Sequence, residues 1–84
     1  MKFITFVNIE AARESETYLL IARGGIKFEN VKGVYLTFGE NDVVVIHEGE
    51  DLATGVRTAV KIRNIPGVLS TKTIVCLDVE EVFG

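Results

Sequence analysis

Apolar and polar positions alternate from Lys2 to Ile9, with Phe3, Thr5 and Val7 opposing Ile4 and Phe6, which predicts a first strand carrying apolar side chains on both faces. At Ala11 the period changes. Ala11, Tyr18, Leu19 and Ala22 fall on one helical stripe, while Arg13, Glu14, Glu16 and Thr17 lie elsewhere, so a short first helix is expected, ended by Gly24-Gly25. Alternation then returns over a second strand, Val31 to Phe38, with Val34, Leu36 and Phe38 on one side and Tyr35 and Thr37 on the other. Gly39-Glu40-Asn41-Asp42 reads as a hairpin, because Gly takes positive φ freely and Asn and Asp tolerate it. A third strand runs from Asp42 to Glu48. Asp51 is a natural N-cap for a second helix reaching about Asn64, with Leu52, Val56, Ala59 and Val60 as its apolar stripe and Lys61 and Arg63 in its last turn. Pro66-Gly67 stops that helix, and Val68 to Asp78 reads as a long fourth strand.

The order βαββαβ around one core, over residues 1–84 as a single domain, predicts an α+β, ferredoxin-like fold: a four-stranded antiparallel sheet with two helices on one face. The other face would then be bare. A wet face should alternate apolar with polar, yet Ile4 and Phe6, Val43 to Ile46, and Ile74 to Leu77 supply apolar residues to both sides. Sheet-to-sheet homodimerisation, giving a dimeric α+β barrel, is the expected way of covering it.

Composition points the same way. A chain of 84 residues buries only about 60 to 65% of its unfolded surface, yet 48% of these residues are hydrophobic and the mean hydropathy is +0.31. The net charge of −3 and the lack of any Lys/Arg cluster argue against a nucleic-acid partner. MKFITFV is interrupted by Asn8 and Glu10 well short of signal-peptide or membrane-span length, so no membrane partner and a cytoplasmic location are expected. Cys76 is the only cysteine, which fits a reducing compartment.

Catalytic chemistry finds little to build on. One His and one Cys have no metal-ligand spacing, and His47, at the end of the third strand, reads as a hydrogen-bonded structural residue. Ser15 and Ser70 are not tied to it by any spacing. No cofactor is implied. Gly24-Gly25 follows a helix and does not open one, unlike a phosphate loop. Phe28, Tyr35 and Phe38 could be core or the wall of a pocket. The hairpin is the remaining candidate: a structural turn, or a rim on which amides after Gly39 hold a carboxylate and Asp42 an ammonium group.

The run GVYLTFGENDVVVIHEGEDL, followed by KIRNIPGVLSTKTIVCL, resembles the RAM domain, the effector-binding domain of Lrp/AsnC-type regulators. The family's hairpin Gly-x-x-Asp is matched by Gly39 and Asp42, and its turn before the last strand by Ile65-Pro66-Gly67-Val68 and Ser70-Thr71. The likeness covers roughly Lys2 to Leu77. It implies sheet-packed dimers, higher rings, and small effectors, typically amino acids, held between dimers beside the hairpin. No helix-turn-helix precedes the first strand, so a stand-alone version is expected, with Lrp/AsnC-type regulators as further partners. Three features depart from the family: Asn41 stands where an aromatic or His is frequent, the first helix is brief, and the acidic tail Val79 to Gly84 extends past the usual end. The brief helix and Gly24-Gly25 look more like the GYD-domain family of obscure function.

The expectation is a non-enzymatic, homo-oligomeric module for a small metabolite, with Gly39, Asn41 and Asp42 as first contacts and Glu40 and Thr71 as secondary ones. The rival is a dimeric-barrel enzyme of monooxygenase or isomerase type, with His47 or Tyr35 as acid/base. A pocket inside each monomer that reaches His47 would favour the enzyme.

Overall fold

The computed structural model describes residues 1–27 and 30–84. Strand β1 (Lys2–Ile9) leads through a 3-10 turn, Ala11–Arg13, into helix α1 (Glu14–Lys27); β2 (Val31–Leu36), β3 (Val43–Glu48), α2 (Leu52–Arg63), β4 (Val68–Cys76) and a short helix α3 (Val79–Phe83) follow. The strands form one antiparallel sheet in the order β2-β3-β1-β4, which is the ferredoxin-like βαββαβ topology. Phe28, one of three aromatics placed around the second strand, lies outside the described residues.

Register assigns the faces. Phe3, Thr5 and Val7 of β1 stand opposite His47, Val45 and Val43 of β3, and these are the buried positions of both strands. Val7, Ile9, Val43 and Val45 form the core with Ile21 of α1 and Ile62 of α2, so both helices cover one face. The other face carries Ile4, Phe6, Val44, Ile46, Ile74 and Cys76. Ile4 sits between Ile46 and Ile74, and Phe6 between Val44 and Lys72. Tyr35, paired with Val44, extends this apolar surface towards the sheet edge. Neither α1 nor α2 packs on it.

Several expectations need correction. Helix α1 runs through Gly24-Gly25 to Lys27 and is not ended by the glycine pair. β2 stops at Leu36, which leaves Phe38 in the hairpin loop, 97% exposed. β4 ends at Cys76, and the tail forms α3 with Asp78 as its N-cap residue. The apolar stripes of both helices are turned partly outwards. In α2 the buried residues are Gly55, Thr58 and Ile62, whereas Leu52, Val56 and Val60 are exposed. In α1, Thr17 and Ile21 are buried while Leu19 is exposed.

Close backbone approach explains this. A Cβ on Gly55 would collide with the Phe3 ring, so α2 crosses β1 at a distance only Gly permits, and Leu or Val would not fit on that line. Thr17 occupies the matching position on α1, where its hydroxyl donates to the Pro66 carbonyl at 3.3 Å and lies against Gly67, whose φ is +92°. Asp51 caps α2 as expected, its Oδ1 accepting the Thr54 amide at 2.8 Å and the Thr54 hydroxyl at 2.7 Å. Those two bonds, the hydroxyl's first, hold the Asp51 carboxyl below its ordinary pKa.

Candidate functional site

The hairpin between β2 and β3 is fixed by three bonds. The Thr37 amide donates to the Asp42 carbonyl at 2.9 Å, the Thr37 hydroxyl donates to the Asn41 carbonyl at 2.8 Å, and the Asp42 amide donates to the Val7 carbonyl at 2.9 Å. Gly39 has φ +139° and nothing near its missing Cβ, so its positive φ, not crowding, is what requires Gly there. The Glu40 and Asn41 amides take no part in closing the turn. Glu40 is exposed and Asn41 half-buried.

Asp42 does structural work. Its Oδ2 accepts the Ile9 amide at 2.8 Å, at the point where the β1–β4 register shifts between Asn8 and Ile9. The carboxylate thereby ties the end of β1 to the hairpin. Its Oδ1 has no hydrogen-bond partner among the described residues. Tyr18 of α1 lies close enough to sense that charge: its hydroxyl pKa is raised, first by burial, then by the Asp42 and Glu14 carboxylates. The phenol therefore stays neutral beside a negatively charged rim.

Beneath this rim an apolar cleft of about 220 Å³ opens between α1 and β2, lined by Tyr18, Leu19, Ala22, Val34, Tyr35, Leu36 and Val43. Of its lining, sequence reasoning named only Tyr35 as a possible pocket wall; the other signal was the Tyr18-Leu19-Ala22 stripe, which helical periodicity marks as an apolar face without saying what covers it.

Thr71 is elsewhere. It stands opposite Val7 on β4, two strands from Val43, and lines a groove beneath α2. A single copy does not bring it together with the hairpin. A broader depression of about 600 Å³ lies at the other end of the sheet from the hairpin, beside Met1, Asn30, Lys32 and Glu48.

His47 is fully buried. Its Nε2 lies 2.8 Å from the Thr5 hydroxyl, which is 2.8 Å from the Thr73 hydroxyl, and its ring stacks on Phe3 with centroids 5.3 Å apart. Nδ1 has no partner among the described residues, and burial lowers the pKa, which favours the neutral ring. It lines none of the clefts described. Tyr35, paired with Val44, is exposed and also borders the α1–β2 cleft. Among the described residues no group of His, Cys, Asp and Glu could hold a metal ion, and no helix is long and apolar enough to cross a membrane.

No family model and no curated protein matches the chain. Solved structures do. The transcriptional regulator NMB0573 of Neisseria meningitidis, in complex with L-Met, superposes with a TM-score of 0.76 at 16% identity over 93% of this chain. AsnC of E. coli superposes with a TM-score of 0.75 at 17% identity over 92%. FFRP-DM1 does so with 0.75 at 23% over 90%, which is 97% of its own length. The chain spans half the length of NMB0573 and of AsnC. It thus has the fold of the Lrp/AsnC-type regulators' effector-binding RAM domain, shared over nearly its whole length.

Proposed function

We propose that the protein is a small-molecule binding, regulatory module that takes an amino acid with an apolar side chain. The observation that carries this reading is the pairing of Asp42 with the α1–β2 cleft. A carboxylate whose second oxygen is uncommitted among the described residues lies near Tyr18, a residue of an apolar cleft of side-chain size. Asp42 would take the ammonium group, the Glu40 and Asn41 amides the carboxylate, and the cleft the side chain. The L-Met complex of the Neisseria regulator supports an effector of this class in a protein of the same fold.

The open sheet face supports assembly. Ile4, Phe6, Val44, Ile46 and Ile74 form a contiguous apolar surface on a small protein, and a second copy packing face to face would bury it. Thr71, remote from the hairpin in its own chain, would join a binding site only from a neighbouring copy. On this reading the module acts in the cytoplasm without enzymatic activity, binds no nucleic acid itself, and partners with Lrp/AsnC-type regulators.

Calorimetric titration of the purified chain against the twenty amino acids tests the proposal. Saturable heat with one or more of Leu, Ile, Val, Met or Phe, and none with Asp, Glu or Lys, is expected. Absence of heat with every amino acid at millimolar concentration overturns it.

A further inference from the structure

The groove between α2 and β4 takes no part in the hairpin site of its own copy. Val56, Ala59, Val60 and Arg63 fall at i, i+3, i+4 and i+7 on α2, and Thr71 and Thr73 are alternate residues of β4, so one helix face and one strand face meet around a cavity of about 230 Å³. No carboxylate lines it. Among the described residues Arg63 has no ion-pair partner, the Thr71 hydroxyl has no hydrogen bond, and the Thr73 hydroxyl has one, to Thr5. The direction of that bond decides what Thr73 presents to the groove. Thr5 has one hydroxyl hydrogen for two neighbours at 2.8 Å, His47 Nε2 and Thr73, so it donates to one and accepts from the other. If Thr73 donated inwards, Thr5 would donate to Nε2, and the proton of the neutral ring would sit on Nδ1 as a fully buried N–H with no acceptor among the described residues. Buried N–H groups are almost never left orphaned, whereas buried acceptors are under-satisfied more often. The ring proton therefore belongs on Nε2, the bonds run outwards from His47 to Thr5 to Thr73, and the Thr73 hydrogen is left for the groove.

We propose that the α2–β4 groove binds a 2-oxo acid with a short apolar side chain. Arg63 ends α2 and Val68 begins β4 after a short turn, so Thr71 lies on the Arg63 side of Thr73. The carboxylate is taken by Arg63 and Thr71, the adjacent 2-oxo oxygen accepts from Thr73, and Val56, Ala59 and Val60 cover the side chain. The same lining discriminates against the corresponding amino acid. An ammonium group in place of the oxo oxygen would set a donor against the Thr73 donor, with no carboxylate in the groove to receive it. This is the reverse of the hairpin, where Asp42 would take the ammonium group. The cavity is smaller than the roughly 300 Å³ at which sites for drug-sized ligands begin, which limits the ligand to a small acid. Thr71, remote from the hairpin in its own chain, contributes to this groove without a neighbour, so the site is complete in one copy. It lies on the helix-covered side of the sheet and stays open whether or not a second copy covers the other face. The two proposed sites would thus read an amino acid and its deaminated counterpart separately.

Backbone-amide NMR titration of the full chain with 4-methyl-2-oxopentanoate tests this. Saturable shifts in α2 and β4, with none from Gly39 to Asp42, are expected. Leucine, and 4-methylpentanoate, which lacks only the oxo oxygen, should each act on α2 and β4 about fivefold more weakly or less. Thr73→Val should bring 4-methyl-2-oxopentanoate down to the level of 4-methylpentanoate, and Arg63→Gln should weaken both acids about tenfold or more. A titration without saturable shifts up to 20 mM, shifts confined to the hairpin, an equal response of α2 and β4 to leucine, or a Thr73→Val chain that keeps the wild-type preference for the oxo acid each overturns the proposal. If Thr73→Val fails to fold, the comparison of the three ligands on wild type and on Arg63→Gln, an exposed position, carries the test.

Discussion

The Asp42 carboxylate accepts the Ile9 amide at 2.8 Å, so the residue proposed to hold a ligand's ammonium group also closes the end of β1. The two roles separate by substitution. Asp42→Asn keeps an oxygen for the amide and loses the charge, whereas Asp42→Ala loses both. Asp42→Ala is expected to destabilise the fold by about 1–3 kcal/mol in urea titration, the cost of an unpaired, partly buried amide. Asp42→Asn should stay within about 1 kcal/mol of wild type yet weaken amino-acid binding at least tenfold, the equivalent of losing one charge-assisted bond. Unchanged affinity in Asp42→Asn would remove the ammonium contact.

Cleft residues should separate affinity from fold in the same titrations. Ala22→Leu fills the floor of the α1–β2 cleft from an exposed helix position and is expected to abolish binding with little change in urea midpoint. Binding that survives Ala22→Leu would move the ligand site elsewhere.

His47 gives the fold an acid-sensitive point. Its folded pKa is depressed by burial, while in the unfolded chain it returns to about 6.5, so at low pH the unfolded state binds the extra proton. This contribution is fully present above pH 6.5 and is lost as pH falls below that value through the folded pKa. Urea midpoints should therefore decline between pH 7 and pH 5, and His47→Leu, which leaves Thr5 bonded to Thr73, should flatten that decline. An equal decline in His47→Leu would assign it to carboxylates instead.

Gly55 and Phe3 set the spacing of α2 over the sheet. Gly55→Ala forces a methyl into the Phe3 ring and is expected to cost about 1–3 kcal/mol by overpacking, although Ala is the better helix former. Phe3→Leu in the same chain should recover part of the loss, a coupling that a double-mutant cycle in urea measures. Additive costs would mean that the ring has room to move.

Those contacts show what the sequence could and could not reveal. Strand β1, the Asp51 cap, the hairpin and the doubly apolar sheet were legible because alternation, capping chemistry and turn residues are local signals. The buried face of each helix was not. Thr17 and Gly55 are buried where α1 and α2 come close to Gly67 and to the Phe3 ring, while Leu19, Leu52 and Val60 are exposed, so counting apolar residues selected the wrong stripe. His47 Nε2, Thr5 and Thr73 bond to one another across three strands, a pairing that no spacing along the chain announces. Of the hairpin residues, the sequence singled out Asp42 but gave no sign that Ile9 would engage it. The acidic residues of the tail concealed α3, whose Val79-Val82-Phe83 spacing is the one local signal for it.

The mass of the protein in solution tests the central claim, that the open sheet face is covered by a second copy. Sedimentation equilibrium at 10 to 300 μM should give at least twice the monomer mass for wild type, and Phe6→Asp, placed in the middle of that face between Val44 and Lys72, should give the monomer. A wild-type chain that stays monomeric at 300 μM, or a Phe6→Asp chain that keeps the wild-type mass, would contradict the account.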